Sequence, residues 1–153
     1  MLDLTERTLT GRIPAPYGTE EIAVSPDGRR AYAAGMALHH RTPDGSAPPP
    51  PTLLVVDTAT HEVVAREPLA APGCPVHVAA DGRVLVGLAP TDATGVPQDG
   101  RLTVLAADGL APLAGAPVGR APITIRTTPD GTRAFVAGLR SGTVHVVDPA
   151  DGS

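Results

Sequence analysis

Aromatic residues are nearly absent from this sequence. Tyr17, Tyr32 and Phe135 make up 2% of the 153 residues, and there is no tryptophan. Sugars, nucleobases and quaternary amines are commonly held by stacking on aromatic faces, so the composition disfavours ligands of these classes. The single cysteine, Cys74, excludes a disulfide within the chain.

Long apolar runs and an excess of positive charge are missing as well. No apolar segment approaches the roughly 20 residues of a membrane-spanning helix. The formal net charge is −4, so the sequence lacks the excess of positive charge that is typical of proteins binding nucleic acid or an anionic membrane. The first 14 residues, MLDLTERTLTGRIP, contain early acids and no apolar core of a signal peptide. The compartment stays unknown from the sequence; as given, without a signal peptide, the sequence is read as cytoplasmic.

Glycine and proline are abundant instead, with 17 and 18 residues respectively. Apolar β-branched runs lie between them, a pattern that predicts many short strands joined by turns and no helix. Asp-Gly, a dipeptide suited to tight hairpins, recurs through the chain. Three of these pairs share one context, EIAVSPDGRRAYAAG (21–35), PVHVAADGRVLVG (75–87) and TIRTTPDGTRAFVAG (124–138).

Each of these strand-turn-strand segments is followed by a third apolar strand. The third strands lie in TLLVVDTATHEVV (52–64), RLTVLAADGLAPL (101–113) and TVHVVDPADGS (143–153), and the first two continue into a fourth strand. Four antiparallel strands over about 50 residues are typical of a β-propeller blade. The sequence therefore predicts an all-β fold of about three such repeats.

The repeat places boundaries along the chain. Residues 14–70 are predicted to form blade 1, residues 71–119 blade 2 and residues 120–153 the first three strands of blade 3. Residues 1–13 resemble a fourth strand, because Asp3 aligns with Asp57 and Leu9 with Val63. The last blade is thus expected to be completed by this N-terminal strand or by a partner chain. Residues 36–52 are predicted to be an inserted, proline-rich loop.

Two stretches are similar to a known family of repeats. VGRAPITIRTTPDGTRAFVAGLRSGTVHVVDPADG (118–152) and LLVVDTATHEVVAREPLAAPGCPVHVAADG (53–82) resemble the YVTN-repeat β-propellers, which overlap the lactonase-like seven-bladed propellers. Blade 2 departs from the consensus with Ala-Ala-Asp at 79–81 and with Ala106. The resemblance implies a propeller fold whose repeat residues are structural. It implies no particular activity, because members include binding proteins, surface proteins and enzymes, and they are often exported.

Three blades are too few for a ring, which usually has about four to eight. An open arc leaves apolar blade faces in water, which is unfavourable. We therefore expect either self-association, as a homodimer of six blades, or further blades in a longer polypeptide.

Polar residues occur on strands that would line the central channel. Four residues before the three repeat anchors Asp27, Asp81 and Asp130 lie Ala23, His77 and Arg126. One interpretation is a channel that binds an anion or carbonyl, with Arg126 and His77 as donors and His77 as an acid or base. The alternative is that both pair structurally between blades.

Charged residues also occur at the predicted rim of this channel. Glu20 and Glu21, with Arg120 on the matching rim of the last blade, could coordinate a divalent cation through their carboxylates or orient a water molecule, although adjacent strand residues point to opposite faces. The alternative is solvated rim charge. No Gly-x-Ser-x-Gly elbow and no phosphate-binding loop is present, and no cofactor or metal site is predicted.

These observations favour a binding or interaction scaffold whose ligand the sequence does not reveal. One alternative is a lactonase-like hydrolase or lyase with its site at the channel rim. Another is a sensory or surface module of a larger propeller protein. The enzyme alternative requires Glu20, Glu21, His77, Arg120 and Arg126 to converge in one concave site.

Overall fold

The chain folds into antiparallel β-strands, as seen in a computed structural model that describes residues 2–3, 5–9, 11–35, 46 and 49–153. Within these residues, no helix is long and apolar enough to cross a membrane. The strands are β1 (Leu2–Asp3), β2 (Thr8–Leu9), β3 (Thr19–Val24), β4 (Arg30–Gly35), β5 (Thr52–Asp57), β6 (Val63–Pro68), β7 (Gly73–Val78), β8 (Val84–Leu88), β9 (Gly100–Leu105), β10 (Pro112–Val118), β11 (Pro122–Thr127), β12 (Ala134–Gly138) and β13 (Thr143–Val147).

Strands β3 to β13 form three successive sheets in chain order. Blade 1 has the order β3-β4-β5-β6, blade 2 has β7-β8-β9-β10, and blade 3 has β11-β12-β13. Neighbouring strands in every blade are antiparallel. The predicted all-β architecture of four-stranded repeats is therefore confirmed, with three strands of the third repeat present.

The Asp-Gly pairs form the turn between the first and second strands of each blade. In the third blade, Asp130 Oδ1 accepts hydrogen bonds from Thr128 Oγ1 at 2.5 Å and from Thr132 N at 3.1 Å. These bonds lower the pKa of Asp130 to about 2, with the Thr128 hydroxyl as the largest cause. Gly131 follows with a φ of 70°, which favours glycine. Local sequence thus determines where each hairpin turns.

The first strands of the blades lie side by side, with β3 against β7 and β7 against β11. Each carries a β-bulge at the same place, between Thr19 and Glu21, between Gly73 and Val76, and between Pro122 and Thr124. A bulge bends its strand and increases its twist. The inner edge of the arc is consequently built from three repeats of one local geometry.

Apolar side chains fill the two spaces between blades. Leu53 and Val55 of blade 1 pack in one buried cluster with Val76 and Val86 of blade 2. A second buried cluster joins blades 2 and 3, and it contains Leu102, Val104, Ile125, Ala134 and Val136. Blade 2 is therefore covered by a neighbouring blade on each face, and its strand β8 is apolar and buried at every position.

The N-terminal segment forms a small sheet of its own. Leu2 pairs with Leu9 in a two-stranded hairpin, and among the described strands β13 pairs only with β12. Further along the chain, Ile13 packs against Leu54 and Val56 of blade 1. Completion of blade 3 by the N-terminal strand or by a partner chain stays a prediction.

The proline-rich insertion lies mostly outside the described residues. Of the predicted loop 36–52, only Ser46 and residues 49–52 are described. The described strands of the three blades span Thr19–Pro68, Gly73–Val118 and Pro122–Val147.

Close packing between blades 2 and 3 makes Gly100 sensitive to substitution. A Cβ atom at this position would lie 2.7 Å from the Gly119 carbonyl oxygen and 2.8 Å from Pro122 Cδ. We expect Gly100→Ala to lower the free energy of unfolding by about 1–3 kcal/mol through overpacking. Urea denaturation measures this change. Gly11→Ala is the control, because nothing lies within 4 Å of its added Cβ; equal losses in both variants would contradict the packing.

Candidate functional site

Polar side chains from all three blades meet at the inner edge of the arc. Arg126 on β11 donates from Nη1 to Glu21 Oε1 on β3 at 3.3 Å. The same Nη1 donates to the backbone oxygen of Ile125 at 2.6 Å. Because β7 lies between β3 and β11, the ion pair spans blade 2 and connects the first and third blades. We call Glu21, His77 and Arg126 the inner cluster.

His77 occupies the middle of the inner cluster. Its Nε2 is hydrogen-bonded to Thr127 Oγ1 of blade 3 at 3.0 Å. Burial lowers the pKa of His77, and the nearby charge of Arg126 lowers it further, while Glu21 acts in the opposite direction. The imidazole is therefore neutral at physiological pH and links two blades by a hydrogen bond.

Glu21 carries one oxygen that the inner cluster does not satisfy. Its side chain is 24% exposed, and Oε2 is buried with no hydrogen-bond partner within the described part of the chain. A buried carboxylate oxygen without a donor is unfavourable by about 1–3 kcal/mol or more. This buried oxygen is an acceptor that no contact of the inner cluster uses.

Two of the predicted site residues lie elsewhere. Arg120 Nε donates to Asp99 Oδ1 at 3.1 Å, and both side chains are largely exposed. Glu20 is exposed at the bulge of β3. The structure thus brings Glu21, His77 and Arg126 together, whereas Arg120 is paired with Asp99. No group of three or more His, Cys, Asp or Glu side chains that could hold a metal occurs among the described residues.

The charges of the inner cluster are arranged to join blades. The Arg126 guanidinium is balanced by the Glu21 carboxylate, and the His77 ring is held by Thr127. This geometry corresponds to the structural alternative, in which His77 and Arg126 pair between blades. For Arg126 the pairing was not visible from spacing, because its partner is 105 residues away in sequence.

A groove of about 760 Å³ lies between blades 1 and 2 on the side of the Asp-Gly turns, and its lining includes Arg30, Tyr32, Asp57 and Asp108. Arg30 Nη1 forms a short hydrogen bond and ion pair with Asp57 Oδ2. Tyr32 is only 4% exposed.

Sequence reasoning assigned Asp27 and Asp108 only to turns and therefore missed the groove. The repeat itself contains one signal for the groove. Because Asp27 and Asp81 occupy the same position in successive repeats, their turns lie at the same end of neighbouring blades. The groove forms between these two turns.

The fold is shared with solved structures of low sequence identity. Hydrazine synthase of Kuenenia stuttgartiensis matches 95% of this chain with 20% identity and a TM-score of 0.68. A putative 6-phosphogluconolactonase of Bacteroides uniformis matches 89% with 15% identity and a TM-score of 0.64. BamB of Moraxella catarrhalis matches 87% with 15% identity and a TM-score of 0.58.

The chain has a β-propeller fold. It spans 38%, 37% and 35% of the lengths of these three structures respectively. No protein-family model matches the chain, and no curated protein does. At these identities the likeness establishes the fold alone, so the function has to be argued from this chain's own residues.

His77 gives this propeller a specific pH dependence. Its pKa in the folded chain lies below the ordinary value of 6.5. As the pH falls below about 6.5, the unfolded chain takes up a proton that the folded chain resists, so stability decreases. We expect His77→Gln to reduce this loss between pH 7.5 and 5.5, measured by urea midpoints. His145→Gln on β13 is the matched control; an unchanged pH profile in His77→Gln would contradict the assignment.

Proposed function

We propose that this chain is a β-propeller module of YVTN type that acts as a non-catalytic binding scaffold. In this proposal it works as an assembly in which a second copy of the chain supplies the blades beyond blade 3. The observation that carries the proposal is a set of equivalent positions in the repeat. At these positions the side chain is buried in blades 1 and 2 but exposed in blade 3.

The second strand of each blade shows the first of these positions. Tyr32 pairs with Ala23, Leu85 with His77 and Phe135 with Arg126. Tyr32 is 4% exposed and Leu85 is 0% exposed, but Phe135 is 41% exposed. The difference arises because blades 1 and 2 each have a following blade, whereas blade 3 has none.

The third strand repeats the pattern at two more positions. Leu53 and Leu102 are both 0% exposed, and their equivalent Val144 is 64% exposed. Val55 and Val104 are buried, and their equivalent Val146 is 55% exposed. We call Phe135, Val144 and Val146 the C-terminal end face. Fully burying side chains of this size would contribute about 1.5–3 kcal/mol each.

Blade 1 presents a surface of the kind that this end face would receive. Ile22 is 65% exposed, whereas its equivalents Val76 and Ile125 are 1% and 0% exposed. Both equivalents pack against the preceding blade. We call Ile22 and its neighbour Val24 the N-terminal end face. The end faces of two copies therefore offer the same positions that already pack within one chain.

The inner cluster supports a scaffold more than an enzyme. Arg126 and Glu21 neutralise each other, and His77 is bonded to Thr127, so these groups are committed to holding the blades. The third alternative, a sensory or surface module of a larger propeller, is supported by the chain spanning little more than a third of its structural neighbours.

Oligomeric state tests the proposal directly. We expect light scattering to show a mass of two copies of the 15.5 kDa chain. Val144→Glu with Val146→Glu should shift the population to monomer, because charges on the end face cannot be buried without partners. Val96→Glu is the matched control, since Val96 is 51% exposed outside both end faces.

A monodisperse wild-type monomer that unfolds cooperatively would contradict the proposed assembly. Comparing the two variants distinguishes specific assembly from nonspecific association. Specific assembly is lost only in Val144→Glu/Val146→Glu, whereas nonspecific association would be reduced equally in Val96→Glu.

One observation favours the hydrolase or lyase alternative. Glu21 Oε2 is buried, unpaired among the described residues and close to the neutral His77. One structural neighbour is a putative 6-phosphogluconolactonase. A carboxylate near a neutral imidazole is a combination that can accept a proton from water.

A lactone assay separates the two functions. Under the scaffold proposal, the chain does not hydrolyse 6-phosphogluconolactone faster than the buffer does. The rate of hydrolysis is measured by pH-stat titration of the acid released. Hydrolysis that is lost in Glu21→Gln but retained in the control Glu62→Gln would contradict the scaffold proposal. Circular dichroism of both variants verifies that their folds are equal.

A further inference from the structure

The face of blade 1 that points away from blade 2 is covered over one half only. Ile22 and Leu54 lie opposite the same residue, Ala33, so both belong to this face, as do Val24 and Val56 by the same register. Leu54 and Val56 are 2% and 9% exposed, whereas Ile22 and Val24 are 65% and 54% exposed. The half of the face on β5 is therefore covered, and the half on β3 is open.

The covered half is packed against a short segment that precedes β3. Ile13 packs against Leu54 and Val56, and in the described part of the chain it is the one member of that apolar cluster from outside blade 1. We call residues 11–16 the strap. The strap belongs to no strand, and Pro14 and Pro16 have no N–H group to donate to a sheet. Its contact with the face therefore depends on an apolar side chain rather than on a ladder of backbone hydrogen bonds.

The strap is anchored at its C-terminal end. Thr19 donates to the Pro16 carbonyl oxygen from its backbone N at 3.2 Å and from Oγ1 at 2.7 Å. Gly35, at the end of β4, leaves no room for a Cβ atom beside the Tyr17 carbonyl oxygen. Because this anchor lies after Ile13 in the chain, Ile13 can leave the face of blade 1 while the anchor stays in place.

The repeat shows what lies at the covered half when another blade comes before it. Val56 is equivalent to Leu105 in blade 2 and to Val147 in blade 3. Leu105 packs in one buried cluster with Val55 of blade 1, and Val147 packs in the other with Val104 of blade 2. At both junctions the cover therefore includes the third strand of the preceding blade.

The C-terminal end face carries the next residue of this series. Val146 is equivalent to Val55 and Val104, and it is exposed because no described blade follows it. Two copies packed in the way that successive blades pack would place Val146 of one copy at Val56 of the other. Ile13 already lies there in the single copy. The strap and a second copy therefore compete for the same half of the face.

We propose that the strap is an autoinhibitory contact that controls self-association of the chain. Ile13 covers Leu54 and Val56 in the single copy, and the C-terminal end face of a second copy displaces it. The open half of the face, with Ile22 and Val24, is where the second copy makes its first contact. The proposal adds a regulation to the proposed assembly and rests on that assembly.

The first test removes the apolar side chain of the strap in the full chain. Ile13→Ser weakens the closed single copy but not the assembly, in which the strap is already displaced. We expect the dissociation constant of the assembly to fall about fivefold to tenfold, measured by sedimentation equilibrium. Leu9→Ser is the matched control, because Leu9 also precedes β3 and is 58% exposed; it should leave the dissociation constant unchanged.

A second measurement follows the strap without changing it. Nuclear Overhauser effects between the methyl groups of Ile13 and Leu54 report their contact directly. We expect these signals in the dilute wild-type chain and in Val144→Glu/Val146→Glu at any concentration. In the wild type they should disappear as the concentration rises and the chain associates. This readout holds even where Ile13→Ser reduces the amount of folded protein.

The outcomes separate the strap from the assembly. An unchanged dissociation constant in Ile13→Ser, an equal change in Leu9→Ser, or methyl signals that persist in the associated chain would overturn the strap and leave the assembly intact. Absence of the methyl signals in the dilute chain would do the same. Failure of both the wild type and Ile13→Ser to associate would overturn the strap and the assembly together.

Discussion

Packing between apolar blade faces is the interaction on which the rest of this structure depends. Within a blade, hydrogen bonds between antiparallel strands pair the backbone N–H and C=O groups. The sheets gain most of their hydrophobic stabilisation only where one blade covers the next. Blade 2 shows the complete arrangement, because both of its faces are buried. Blade 3 packs against another blade on one face only. Blade 1 packs against blade 2 on one face, while Leu54 and Val56 of its other face are buried with Ile13, and Ile22 and Val24 stay exposed. The exposed positions Phe135, Val144 and Val146 are a consequence of the repeat rather than isolated surface residues.

The two polar features follow from the same packing. Because the inner strands lie side by side, Arg126 can reach Glu21 across blade 2, and His77 can bond to Thr127; both contacts stabilise the relative positions of blades. On the side of the turns, the sheets leave gaps that polar residues either fill or leave open. Arg83 bridges the gap between blades 2 and 3, whereas the gap between blades 1 and 2 is an open groove lined in part by Tyr32. A scaffold function is compatible with both features, since the charges at the inner edge are used within the chain and the open groove lies outside that edge.

Much of the fold was predictable from the sequence, because strand alternation and Asp-Gly turns are local signals that recur in each repeat. The four-stranded unit and the strands of the three blades follow from them. The partner of the N-terminal segment was not predictable in the same way, since the likeness of Asp3 and Leu9 to a fourth strand is local and does not say which strand they pair with; β1 pairs with β2. The Arg126–Glu21 pair was equally hidden, because its register depends on how three blades pack. Arg120 and Glu20 aligned with rim positions in sequence, but Arg120 is bound to Asp99 instead.

The central claim is that the C-terminal end face is an interface for a second copy of the chain. Amide hydrogen exchange of β13 at increasing protein concentration tests it most directly, with the fully paired β9 as internal reference. The account predicts that exchange in Thr143–Val147 slows as concentration rises and approaches the protection of β9, because a covered face and a completed edge exclude water. Exchange in β13 that stays fast and independent of concentration, while β9 is protected throughout, would contradict it.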